Sequence, residues 1–135
     1  MNIENLLVDW IKGEEGFREK AYLDSLGIPT FGYGFTYITE DEAEPILHNR
    51  ISSISYDTLH MLEGRGIELD DFRKAILMDM IYQLGMNNVM KFSKMLDALK
   101  DMDYDRASTE MLDSRWHSQT PKRCELLASR MKLGR

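Results

Sequence analysis

The amino-acid sequence predicts an α+β fold, predominantly helical. A small β-hairpin lobe is expected at residues 15–38, a long connecting helix at 40–63, and a larger helical lobe at 67–135 with an N-terminal helix at 2–14. Three observations predict it. Apolar residues recur at helical spacing through most of the second half of the chain. A single stretch, Ala21 to Gly34, carries strand-forming residues on both sides of the turn sequence Asp24-Ser25-Leu26-Gly27. Thr39 and Glu42 form a capping box that opens a third pattern. With 135 residues, 43% of them hydrophobic, the chain is long enough for one compact domain and too short for two independent ones.

The elements follow in order. Ile3, Leu6, Leu7, Trp10 and Ile11 lie at helical spacing, so residues 2–14 read as an amphipathic helix with Glu14 and Glu15 at its C-terminal end. A carboxylate there faces the negative end of the helix dipole. Next comes a hairpin whose turn holds Asp24, and Gly32 and Gly34 point to close approach of another group to the backbone. The connecting helix runs from the capping box through Leu47, Ile51, Ile54, Leu59 and Leu62 to Gly64-Arg65-Gly66, and Pro45 is expected to bend it or delay its start. Asp71 to Leu84 is apolar around most of its circumference and reads as a buried central helix ended by Gly85. Further helices are expected at 89–100, 104–116 and 121–131, with Thr120-Pro121 as cap and first turn. The ten methionines read as fillers between these helices.

Composition narrows the function. Cys124 is the single cysteine, so no internal disulfide forms, and His48, His60 and His117 are scattered without metal-ligand spacing. No metal or organic cofactor is expected. Residues 1–13 lack the uninterrupted apolar core of a signal peptide, and no run is long enough to span a membrane, so a protein made soluble in a cytoplasm is expected. The net charge of −6 argues against nucleic-acid binding, which rests on clustered Lys and Arg. Lys122, Arg123, Arg130, Lys132 and Arg135 make the C-terminal end locally basic, which suits either an anionic polymer or an ordinary solvated face.

Chemistry concentrates near the start of the chain. Glu15-Gly16, Tyr22-Leu23-Asp24 and Thr30-Phe31-Gly32-Tyr33-Gly34 put two acids and a hydroxyl within one short segment, the inventory for hydrolysing a glycosidic bond. Each residue also has a plain structural reading: Glu15 as a helix-terminal partner of Lys12 or Arg18, Asp24 as a turn residue, Thr30 as a strand former. A second block consists of Met80-Ile81-Tyr82-Gln83-Leu84-Gly85 and then Ser114-Arg115-Trp116-His117-Ser118-Gln119-Thr120-Pro121-Lys122-Arg123. The two blocks together resemble the T-even-type phage lysozymes, glycoside hydrolase family 24, over nearly the whole chain.

The resemblance implies a lysozyme-like fold and a muramidase acting on peptidoglycan glycan strands, between N-acetylmuramic acid and N-acetylglucosamine. It makes Glu15 the general acid, Asp24 the carboxylate that stabilises charge and activates water, and Thr30 the group that positions the water. It also places Arg123 against the acid, and Gln83 and Trp116 at a cleft wall, for sugar hydrogen bonding and for packing respectively; for Trp116, core burial is the favoured reading. Phe35 stands where the family has a histidine, so an apolar contact replaces a charged one. Only Phe35 to Ile38 intervene before the connecting helix, so the hairpin lobe is cut down relative to longer members. A monomer is expected, either an endolysin reaching the wall from the host cytoplasm through a separate membrane pore (holin) or a virion-associated lysozyme. A catalytically weak, lysozyme-shaped wall- or partner-binding protein is the alternative.

Overall fold

The computed structural model describes residues 2–135, which fall into two compact units dividing between Ile46 and Leu47. Helix α1 (Ile3–Glu15) opens where the Asn2 side chain accepts a hydrogen bond from the Asn5 backbone N–H, and it stops at Gly16. It belongs to the first unit with the hairpin, whereas the sequence grouped it with the helical lobe. Strand β1 (Arg18–Leu23) pairs antiparallel with β2 (Pro29–Gly32), Tyr22 facing Thr30 and Leu23 facing Pro29. The strand starts earlier than the sequence suggested, taking in Arg18, Glu19 and Lys20. These residues are exposed, so no buried face demanded apolar alternation, and the Arg18 guanidinium lies 5.1 Å from the centre of the Tyr22 ring.

Helix α2 (Glu40–Arg65) passes through the division between the units. Its capping box is complete: the Thr39 N–H donates to Glu42 Oε1, and the Glu42 N–H donates to Thr39 Oγ1. The hydroxyl of Thr39 also donates to Glu42, and this bond, followed by the one from the Thr39 backbone, holds the Glu42 carboxyl below its usual range. The helix therefore begins at Glu40, and Pro45 does not delay its start. At the other end the Ile67 N–H reaches back to the Leu62 carbonyl across Gly66, whose φ of 67° suits glycine.

The second unit holds the apolar core. Helix α3 (Asp71–Leu84) buries Ile76, Leu77, Met80 and Ile81. Helix α4 (Met86–Val89) is a single turn, and α5 (Ser93–Lys100) buries Met95, Leu96, Ala98 and Leu99. Helix α6 (Tyr104–Leu112), the short α7 (Arg115–Gln119) and α8 (Pro121–Leu133) complete the unit, with α8 packing on α3, α6 and α7. Met80, Met95, Met111 and Met131 have no exposed surface, in line with their reading as fillers.

Two expected helices are each split. Residues 89–100 break at Phe92, whose non-helical backbone (ψ 58°) accompanies edge-on packing of its ring against Trp116 at 6.4 Å. Residues 104–116 break at Ser114, which is extended and caps α7 by accepting from the His117 N–H while donating to the Met111 carbonyl.

Arg73 ties the start of α3 to the end of α8. Its Nε donates to the Met131 carbonyl at 2.7 Å and its Nη2 to that of Lys132, answering the unpaired carbonyls at the end of α8. The guanidinium also lies 3.6 Å from the centre of the Tyr104 ring and pairs with Asp70, the N-cap of α3. Partial burial alone would raise the Asp70 carboxyl, but hydrogen bonds and charge from Arg73 outweigh it and hold the group below its usual range.

Two predictions follow from these ends. Stability that rests on a depressed carboxyl is present above the ordinary carboxylate range and is lost as pH falls through the folded pKa. Asp70→Ala should therefore cost about 1 kcal/mol in urea unfolding near neutrality, and the difference from the parent should shrink below roughly pH 4. Met102 follows α5 with φ 56°, at the site where the Asp103 N–H returns to the Ala98 carbonyl, and its side chain is exposed. Glycine has no steric penalty there, so Met102→Gly should raise stability by up to about 1 kcal/mol, measured by the same unfolding curve.

Candidate active site

The hairpin turn fixes two of the three catalytic candidates through one residue, Ile28. Asp24 Oδ1 accepts from the backbone N–H groups of Leu26 and Ile28, both at 2.8 Å. The Ile28 carbonyl accepts from the Asp24 N–H at 3.0 Å and from the Thr30 hydroxyl at 2.9 Å. Asp and Gly are the residues such a turn favours, because a short carboxylate bonds its own backbone and Gly27 takes up the positive φ of 76°. The arrangement leaves Asp24 Oδ2 for another partner. It also uses the Thr30 proton, so the hydroxyl oxygen meets any further group as an acceptor. Thr30 is only 4% exposed, while Asp24 is half-buried and Glu15 exposed.

Glu15 ends α1, and its carboxylate lies against Gly34. A Cβ at Gly34 would stand 2.6 Å from Glu15 Oε2 and 2.7 Å from Cδ. Gly34 lies in a tight reversal closed by two backbone hydrogen bonds between Phe31 and Phe35, directly after β2. Thus the strand that carries Thr30 leads straight into the loop that receives Glu15. Phe35 makes the apolar contacts expected of it: its ring covers Gly32 and stands edge-on to Phe31 at 5.8 Å and to Tyr33 at 6.4 Å.

The remaining candidates belong to the second unit. Trp116 is buried at 3% exposure, and its indole N–H donates to Gln83 Oε1 at 2.9 Å. Gln83 Nε2 donates in turn to Thr120 Oγ1 at 3.0 Å. Gln83 was expected to meet sugar, but here both ends of its amide are engaged inside the protein. Thr120 was expected to cap α8, yet its side chain makes no capping bond; its hydroxyl accepts from Gln83 and donates to the Trp116 carbonyl. Arg123 is paired with Asp79 on α3. The sequence reasoning missed Asp79, although an acid one turn before Gln83 in an otherwise apolar helix was a usable signal. Two hollows of the second unit, about 600 and 340 Å³, contain none of Glu15, Asp24 and Thr30.

Among the described residues, no group of three or more His, Cys, Asp or Glu side chains is placed to hold a metal ion. No helix among them is long and apolar enough to cross a membrane. Cys124 is buried, its Sγ donating to the Met111 carbonyl, and burial followed by the Glu125 charge pushes the thiol up to about 11. It is a packing residue.

The chain matches the phage lysozyme family over residues 12–132. It is 29% identical over 123 residues to probable T4-type lysozyme 1 of Dictyostelium discoideum, covering 90% of this chain and 68% of the relative. Probable T4-type lysozyme 2 of the same organism is 38% identical over 66 residues, which cover 49% of this chain and 39% of the relative. The pre-baseplate central spike protein Gp5 of Enterobacteria phage T4 is 25% identical over an alignment of 148 residues, covering 87% of this chain but 26% of that protein. With the hairpin, the helices and the match running together through most of its length, the chain belongs to the phage lysozyme family, whose lysozyme-type enzymes are glycoside hydrolases.

Proposed function

We propose that this protein cleaves the β-1,4 bond between N-acetylmuramic acid and N-acetylglucosamine in peptidoglycan by acid- and base-assisted attack of water. The observation that carries this reading is the shared residue Ile28, whose N–H and carbonyl hold Asp24 and Thr30 in a fixed relation on the hairpin that also receives Glu15. Glu15 gives its proton to the leaving glycosidic oxygen, which departs as the 4-hydroxyl of N-acetylglucosamine. Positive charge grows at the anomeric carbon of the muramic sugar, and Asp24 stabilises it. A water hydrogen-bonds through one hydrogen to Asp24 Oδ2 and through the other to Thr30 Oγ1, and as its lone pair attacks that carbon the first hydrogen passes to Asp24 as a proton, leaving the anomeric hydroxyl. Attack from the face opposite the leaving group inverts the configuration, which requires carboxyl groups roughly 6.5 to 9.5 Å apart with the water between them.

Likeness to a phage spike protein supports a virion-associated enzyme that opens the wall during entry. A free endolysin, reaching the wall from the host cytoplasm through a separate pore, uses the same site. In both settings the partner is the glycan strand, met by a monomer.

Glu15→Gln should remain folded by circular dichroism and lose at least about 100-fold in clearing of purified peptidoglycan, the contribution expected of a general acid. Wall binding without clearing by the parent would instead favour the binding-protein reading. Thr30→Val keeps the side chain's shape but removes the oxygen that receives the water, so kcat should fall about 10-fold or more while Thr30→Ser retains most activity. Steady-state kinetics on the same walls distinguishes them, and equal rates for Thr30→Val and the parent would remove Thr30 from the mechanism.

A further inference from the structure

We propose that Gly34 is a positioning residue for the general acid: the absence of a side chain there lets the Glu15 carboxylate settle against the loop backbone. This rests on the assignment of Glu15 as acid. Two observations lead to it. The missing Cβ would stand 2.6 Å from Oε2 and 2.7 Å from Cδ of Glu15, closer than non-bonded carbon and oxygen atoms approach, and 3.2 Å from its Cγ, a tight contact. All three contacts are with the outer part of one flexible side chain and none is with backbone, so a methyl group at Gly34 would drive the carboxylate away without dismantling the loop.

The loop is held by contacts of its own. Hydrogen bonds of 2.9 and 2.8 Å between Phe31 and Phe35 close the reversal, and the Phe35 ring lies over Gly32. Glu15 approaches from the end of α1, where Gly16 turns the chain with φ 68°. The carboxylate thus ends a flexible side chain and occupies the space that a Cβ at Gly34 would take. Gly34 has a φ of 76°, which any L-residue finds strained, so the positional effect has to be separated from backbone strain. Gly66 supplies that control: its φ is 67°, and a Cβ there meets nothing within 4 Å.

The test compares Gly34→Ala, Gly66→Ala and Glu15→Gln in the full chain. Thermal unfolding should fall by similar amounts in the two alanine variants. Gly34→Ala should lose about 100-fold in kcat with KM within twofold of the parent, as expected when a reacting group moves by roughly 1 Å. The alkaline limb of its pH-rate profile, set by the acid, should also shift, a change that loss of fold stability does not produce. Gly66→Ala should keep the parent's kcat and pH profile. Should Gly34→Ala fail to fold, Gly34→Asn carries the same Cβ in a residue that tolerates positive φ. Parent-like kcat and pH profile in a folded Gly34 variant would overturn the proposal while leaving Glu15 as the acid; equal losses in Gly34→Ala and Gly66→Ala would overturn it in favour of strain. A fully active Glu15→Gln would remove the acid assignment itself, and the role of Gly34 with it.

Discussion

The Asp24 turn is the constraint on which the rest of the first unit depends. Thr30 and Gly32 are its only buried residues among those described, so there is no apolar core to hold side chains in place by packing. Backbone hydrogen bonds do this instead. Two N–H groups converge on one carboxylate oxygen, and Ile28, which supplies one of them, also accepts from the Thr30 hydroxyl through its carbonyl. A carboxylate fixed by charge-assisted bonds keeps its orientation at low entropic cost when substrate arrives, which is the condition for preorganised charge stabilisation.

The second unit works by the opposite means. Its core buries residues from Leu62 to Met131, and its polar groups serve that core. Trp116 can be buried only because its indole N–H finds Gln83, since an unpaired donor in an apolar interior costs about 1 to 3 kcal/mol. Gln83 then passes the bond to Thr120, joining α3 to the start of α8. The residues that most resemble a family signature here thus act first as a hydrogen-bonded brace. Arg73 does the equivalent at the far end of α8, where helix carbonyls would otherwise lack donors.

Much of this was legible in the sequence because the signals were local. The Thr39 and Glu42 pair announced α2, Gly85 announced the end of α3, and Asp24-Ser25-Leu26-Gly27 announced the turn, each through chemistry confined to a few residues. What was not legible depended on distant partners. The break at Phe92 answers to Trp116, and the backbone reversal at Met102 uses a residue that carries no turn signal of its own. At the candidate site, residue types showed through at Glu15, Asp24 and Thr30. The sequence also marked Gly34 as a place of close approach, but only the folded chain shows that the approaching group is the Glu15 carboxylate. Asp79 as partner of Arg123, and Thr120 as partner of Gln83, required the packing of α3 against α8.

The central claim is that water, held by Asp24 and Thr30, attacks the anomeric carbon while Glu15 protonates the leaving oxygen. The most direct test digests purified peptidoglycan in water enriched in oxygen-18 and reads the new muramic end by NMR and mass spectrometry before mutarotation. The account predicts a reducing muramic end that first appears as the α-anomer, with the label at its anomeric carbon. A β-anomer, or an unlabelled anhydro sugar, would contradict it.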